Sequence, residues 1–498
     1  MSIETNSRKH EGKQDAQYRE VSCHGGTCVG LGHVSRLAVA FLMFAVATCW
    51  LVVSVFAMAL ALIKLNAPEF LGTSCFLSYG RLQPAALNAL VFGFCVPVGH
   101  AVAVWGLFAG TGAPLPRKDV MLTSWAVWNV GLLIGTIGIL RGDGTGIEWL
   151  ELPGYASRML VVSVLIFAVW VLRFGWRGCN DQNDVRLWCC VGVLLLFPWI
   201  YGAALVGSVY AQVRGVLAAV TQAWFVQMLL VVWGGFFALG VLRSYSTGTG
   251  AQTLVSDRVA RFAFWTLVLF GGVGAFQRLQ GGPFPAWMIA VGNASAVLCL
   301  LPLCAVLISF RSVFAEQRGQ GKTVGSRGIV VSALGFYGLA LVLAAVSCFH
   351  SVARVVQFTT YRQAIDMSLL IGFLVPSLLY AIHGIMQLDA GLRWSGQFLQ
   401  RALFLTVAGG ALIVAGLVIG GVVQGVAWND PAVSVADVIR RTGKWLGMTT
   451  AGWLLVSCGI VWFAVQVCML IAGGFRLILW PVARVWFQAD IAEKEAGA

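Results

Sequence analysis

The chain alternates long apolar stretches with short polar ones. Runs of about twenty apolar residues or more, the length that carries a helix across the hydrocarbon of a bilayer, fall at 37–63, 83–109, 119–140, 156–174, 187–210, 217–242, 259–279, 286–310, 328–350, 364–387, 402–424 and 446–475. Backbone groups in lipid must be satisfied within the spanning segment, so these runs predict twelve helices and an all-α polytopic membrane protein. The polar segments between them are too short for a soluble domain. The pattern divides the chain into a polar tail at 1–34, a transmembrane domain at 35–475 and a second tail at 476–498. The first apolar run is too long for the core of a cleavable signal peptide and reads as a signal anchor.

Composition sharpens this picture without changing it. Of 498 residues 59% are hydrophobic and 11% charged, and the mean hydropathy of +0.84 lies far outside the soluble range. Lys and Arg favour the loops on the side of the termini by roughly two to one, which places both termini in the cytoplasm. The formal charge of +13 therefore needs a lipid bilayer as partner and no nucleic acid, since loops such as the one carrying Arg311, Arg318, Lys322 and Arg327 face anionic headgroups. The 13 cysteines are scattered mostly through the helices, with Cys75 alone in an outer loop, so no disulfide framework is expected. In the N-terminal tail Cys23, His24, Cys28 and His33 offer thiolates and imidazoles, but at a spacing that matches neither a standard zinc site nor a haem-attachment motif. A solvated, reduced tail is the expectation there.

Two outer loops carry order. In 141–155, Gly142, Gly144 and Gly146 permit tight turns, and Trp149 and Tyr155 suit the membrane interface. Trp428, Asn429, Asp430 and Pro431 form a turn signal, followed at 433–437 by residues suited to capping a short surface helix. Both loops are expected to fold onto their own helix ends rather than onto a partner.

Several segments together resemble one family. Gly80, Arg81, Leu82, Pro84, Asn88 and Gly93 resemble the second-helix signature of the cbb-type (C-type) cytochrome c oxidases, within the haem-copper oxidase subunit I family. Trp224 to Gln227 is similar to the Trp-Tyr-x-His of the sixth helix, and Phe264 and Trp265 through Pro285 and Trp287 match the seventh helix and its loop without a gap. Ser368 and Gly372 anchor the tenth helix, and Gly421, Gln424, Gly425, Asn429, Asp430 and Pro431 match the end of the eleventh and its loop. The resemblance spans about 35–475. It implies a twelve-helix haem-copper oxidase subunit I-like bundle in a bacterial inner membrane, with two haems and one copper as family cofactors and partners such as a membrane-anchored cytochrome c.

The same resemblance places a non-imidazole residue at every metal-ligand position. The haem-ligand positions hold Ala86, Ile365 and Met367, the copper-ligand positions hold Gln227, Gln277 and Arg278, and the active-site tyrosine position holds Gly271. Ala86 and Ile365 have no donor atom, side-chain amides are poor copper ligands, and a guanidinium that stays protonated repels a cation. Met367 offers a thioether, which in a helix more often packs than ligates. His100, His350 and His383 lie on different helices or at their ends, and His100 is 14 residues beyond Ala86, roughly 21 Å along a regular helix. Structural roles are the expectation for all three.

The expected function is that of a non-catalytic subunit I-like protein of a respiratory complex, binding no cofactor of its own. One alternative is a divergent terminal oxidase subunit retaining haem through other ligands. Another is a transporter or sensor using Gln227, Gln277, Arg278 and Asp366 as a polar string in an apolar bundle. Two further expectations concern packing. Side chains or inward movement of the second, sixth, seventh and tenth helices should close space that haems would occupy, since empty core volume is costly. Arg278 and Asp366 should form a buried ion pair, since a lone intramembrane charge is expensive.

Overall fold

The computed structural model describes residues 31–70, 72, 74–108, 115–175, 185–210, 213–237, 257–305, 307–308, 324–388 and 396–474. Cys23, His24 and Cys28 lie outside the described residues, as does the side chain of His33. All regular secondary structure among the described residues is helical. In chain order the helices are α1 (Leu31–Asn66), α2 (Tyr79–Phe108), α3 (Lys118–Arg141), α4 (Gly154–Phe174), α5 (Val185–Leu205), α6 (Val216–Phe237), α7 (Asp257–Gly271), α8 (Ala286–Leu298), α9 (Val324–Val346), α10 (Thr360–Met386), α11 (Gly396–Trp428) and α12 (Val435–Gly474).

Ten of the described helices are long and apolar enough to cross a membrane, or up to twelve if two bent pairs each make one span. The runs expected at 259–279 and 328–350 are those bent pairs, and neither is a single straight helix. α7 turns by 41° into a tight 3₁₀ segment, Val273–Leu279. The break falls at Gly271 and Gly272, where Gly271 presses so closely on α6 that an added Cβ would lie 2.5 Å from Val232 Cγ2. α9 ends in a 106° turn into the short helix His350–Val356. Ser347 helps to stop it by donating its hydroxyl back to the Ala344 carbonyl at 2.8 Å.

A second difference concerns the segment after Pro431, which was expected to start a separate surface helix. It is instead the first turn of the 40-residue α12. Ser434 caps it, accepting from the Asp437 backbone N–H at 3.2 Å while donating to the Asp437 carboxylate at 2.8 Å. No breaker separates this amphipathic start from the apolar run, so the helix simply continues.

Burial separates centre from rim. The most apolar window of α2 and of α10 is 94% buried, against 39–56% in the other single spans, so these two run through the middle of the bundle. α12 packs on both α11 and α1, which closes a ring of helices around them. The α11–α12 contact is backbone-close. A Cβ on Gly409 would lie 2.5 Å from the Gly452 carbonyl oxygen, so larger residues there would pry the helices apart. α2, α6 and α10 share one more feature: each is π-helical in its middle, at Ala89–Cys95, Met228–Trp233 and Ser368–Leu374. Inserted π turns of this kind are frequent at functional sites in helical proteins.

Candidate functional site

α6, α10, the end of α9 and the broken α7 converge on a polar network. The bend after α7 brings Gln277 and Arg278 in from the side, against α8, where an added Cβ on Gly292 would strike the Gln277 backbone. Arg278 is almost fully buried and grips Asp366 with both terminal nitrogens, at 2.5 Å to Oδ1 and 3.1 Å to Oδ2. Its Nε donates to Gln227 Oε1 at 3.0 Å. Gln277 donates to the Ser347 hydroxyl at 2.6 Å, the residue that ends α9. Arg362, one turn before Asp366, donates to Gln277 Oε1 and to its backbone carbonyl, both at 3.2 Å. Gln227, Gln277, Arg278 and Asp366 therefore meet in one connected network. A two-pronged guanidinium–carboxylate grip is among the stronger polar contacts available to a buried pair.

The remaining residues singled out from sequence lie apart from it. Ala86 is buried in α2 and its carbonyl accepts from Ser54 at 2.7 Å. Ile365 and Met367 belong to the apolar core. His100 stacks on Phe167 with ring centroids 5.0 Å apart, His350 starts the short helix after α9, and His383 is buried far along α10. Among the described residues no three His, Cys, Asp or Glu side chains assemble into a group that could hold a metal ion.

The network forms one wall of a cavity of about 410 Å³. Arg278, Arg362, Asp366, Gln222 and Gln424 supply its polar side, while Ala219, Ala223, Val226 and Leu279 supply an apolar one. The 142–153 loop covers it. Trp149 is buried there with a left-handed backbone, φ 69°, and Phe358, which also lines the cavity, has φ 60°. Bulky residues in that region are strained, and such strain clusters at functional sites. The loop is pinned to α2 because Asn88 donates to Glu151 at 2.7 Å. Burial pushes the Glu151 carboxyl above the usual carboxylate range, and the Asn88 bond opposes the shift. Glu148, held at the rim by Gln222 at 3.3 Å, is also shifted upward. Desolvation comes first there, with the Asp366 charge adding and the two guanidiniums opposing.

Sequence reasoning missed Arg362, Ser347, Glu148 and the two outlying glutamines. Arg362 had a visible signal: it stands four residues before Asp366 at the head of an apolar run, so both charges share one face of α10. Gln424 stood in the matched end of the eleventh helix without being read as a site residue, whereas Ser347 and Gln222 had no signal, since their role depends on a bend and on loop packing.

Comparison with known proteins points one way. The family model described as cytochrome c and quinol oxidase polypeptide I matches residues 38–455. A cytochrome c oxidase subunit 1 homolog of Azorhizobium caulinodans is 20% identical over 370 residues, covering 71% of this chain and 66% of that protein, just under two thirds of its length. The cbb3-type cytochrome c oxidase subunit CcoN1 of Stutzerimonas stutzeri is 20% identical over 375 residues, covering 71% and 76% respectively. Among solved structures, a chain from a cryo-EM study of a heme-copper terminal oxidase dimer shares the fold with a TM-score of 0.65 at 12% identity, over 87% of this chain and 84% of that one.

Proposed function

Because the chain belongs to the cytochrome c and quinol oxidase polypeptide I family, we propose that it is a member that has given up haem and copper and serves as a non-catalytic, subunit I-like component of a respiratory membrane complex. The observation that carries this reading is the use made of Arg278. At a position that the resemblance aligns with a copper ligand stands a buried guanidinium, and it is tied to Asp366 and Gln227. A fixed positive charge at that point opposes a bound cation.

The rest of the donor set does not fit two haems and a copper either. Ala86 and Ile365 bring no donor atom, and Met367 is packed in the apolar core. Gln277 spends its amide on Ser347 and Arg362. Gly271 leaves no room for a tyrosine, since Val232 already stands against its Cα. What remains is a rigid bundle with an ordered loop face, suited to holding partner subunits. In this reading it lies in a bacterial inner membrane with both termini cytoplasmic, as the basic loops favour, beside partners such as a membrane-anchored cytochrome c.

The test is a visible spectrum of the detergent-purified protein, oxidised and then reduced with dithionite, with iron and copper analysis. The protein is to be expressed where oxidase cofactors are made. The expected result is neither metal in stoichiometric amount. A reduced haem b spectrum at one or more haems per chain overturns the reading.

A further inference from the structure

We propose that the cavity bounded by Arg278, Arg362 and the 142–153 loop is a binding site for an amphipathic monoanion, with its carboxylate or phosphate head on Arg362 and its apolar body along α6. Three observations on the cavity converge. The first is charge. Arg278 uses its Nε and both terminal nitrogens on Asp366 and Gln227. Among the described residues the hydrogen bonds of Arg362 go to the two neutral oxygens of Gln277, while Asp366 and Glu148 act on it through space. A guanidinium has five N–H donors, and this one is left with donors to spare and no carboxylate paired to it. Glu148 is turned toward Gln222, to which it is hydrogen-bonded at 3.3 Å, rather than paired with Arg362.

The second observation is shape. A volume of about 410 Å³ lies in the range of small-molecule clefts. Ala219, Ala223 and Val226 recur at helical spacing, so they line one face of α6 with small apolar surface opposite the arginines. A bare inorganic anion would leave that face uncovered, whereas an acid with an apolar body covers both. The third is the backbone: Trp149 and Phe358, which both line the cavity, have left-handed conformations. Two large aromatic residues held in costly conformations along one cavity suit a binding site. The shared chemistry is an oxyanion on an apolar stem, supplied either by an acidic lipid or by a free amphipathic acid.

The experiment uses the full chain, wild type and two variants, Arg362→Gln and Ala223→Leu. Decanoate is titrated calorimetrically against protein in neutral detergent. In a second arm, thermal stability is compared in nanodiscs of phosphatidylcholine with and without phosphatidylglycerol. Inorganic phosphate serves as the headgroup-only control. Saturable decanoate binding identifies a free acid, and stabilisation only by phosphatidylglycerol identifies a lipid. In either case the response should weaken at least tenfold in Arg362→Gln, by loss of the charged donor, and in Ala223→Leu, by filling the apolar wall. If Arg362→Gln does not fold, Ala223→Leu decides alone. Absence of a saturable response in both arms, or equal affinity in the folded variants, overturns the proposal. Haem content is measured on the same preparations: haem together with anion binding sinks the functional reading alone, and neither haem nor anion binding sinks this site alone.

Discussion

The neighbourhood of Phe92 and the neighbourhood of Arg278 belong to the same bundle and are built on opposite terms. Phe92 on α2 lies 5.4 Å from Tyr201, 6.3 Å from Trp128 and 6.4 Å from Phe197 by ring centroids, and Phe197 stacks on Tyr201 at 5.5 Å. The two tryptophans that frame this cluster each send their N–H to a backbone carbonyl, Trp128 to Phe92 at 2.8 Å and Trp233 to Val193 at 2.9 Å. Shape does most of the closing here, with few polar groups to satisfy. Around Arg278 the side chains are just as firmly placed, yet a cavity of about 410 Å³ remains. Charges and amides hold one another at fixed distances and directions, so they cannot collapse inward as aromatic rings do. One region is stable because it is full, the other because its polar groups are paired.

The largest effect should come from emptying the full region. Trp233→Ala is expected to destabilise the protein by about 4 kcal/mol in detergent unfolding, in the range for large aromatic deletions, while Trp233→Phe recovers part of it. Trp233 packs so closely on Gly99 that a Cβ there would lie 2.7 Å from its ring, which leaves little chance of relaxation. A loss under about 1 kcal/mol would mean that the aromatic cluster is looser than its contacts indicate.

The next effect probes the paired region. Arg278→Asp and Asp366→Arg should each cost about 3 kcal/mol, because either leaves like charges facing each other with little solvent. The double swap should recover much of that loss. Additive losses in this cycle would show that the two residues do not couple, and the contrast drawn with Phe92 would fail.

The smallest effect separates loop from bundle. Burial raises the folded-state Glu151 carboxyl above its ordinary value of 4.5, so the folded protein holds that proton more tightly than the unfolded chain does. The resulting stabilisation is fully present below about 4.5 and is lost as pH rises through the folded-state value, at no more than about 1.4 kcal/mol per pH unit for one group. Unfolding scans across that window should slope downward in wild type and more shallowly in Glu151→Gln. A residual slope from Glu148, shifted the same way, is expected in the variant. An unchanged slope would remove Glu151 from the account.

Much of this was legible in the sequence, for reasons that differ by element. Ten spans follow directly from apolar run length, because lipid enforces one local rule on each segment. The bends after α7 and α9 were not legible, since the glycine pair at 271–272 and Ser347 look like ordinary helix residues until a neighbour presses on them. The unbroken run of α12 from its Ser434 cap into the apolar stretch was misread for the opposite reason: a strong cap looked like the start of a separate helix. At the site, Gln227, Gln277, Arg278 and Asp366 stood out as polar groups in apolar runs. Arg362 was overlooked beside Asp366, and Gln222 and Glu148 join the site only because the 142–153 loop folds over it.

The π-helical middles of α2, α6 and α10 carry a consequence for how this chain can change. A regular helix advances about 100° per residue, so removing one residue normally swings everything beyond it to a new face. A π turn already holds one residue more than an α turn. Deleting a single residue within 368–374 would therefore rewind that stretch to ordinary α geometry, keeping the hydrogen-bond ladder whole and leaving the half of α10 that carries Ser377 and His383 near its present face. Insertions and deletions usually collect in loops. Here the two most deeply enclosed helices, α2 and α10, hold slack of their own, and a one-residue deletion there would be taken up inside the span.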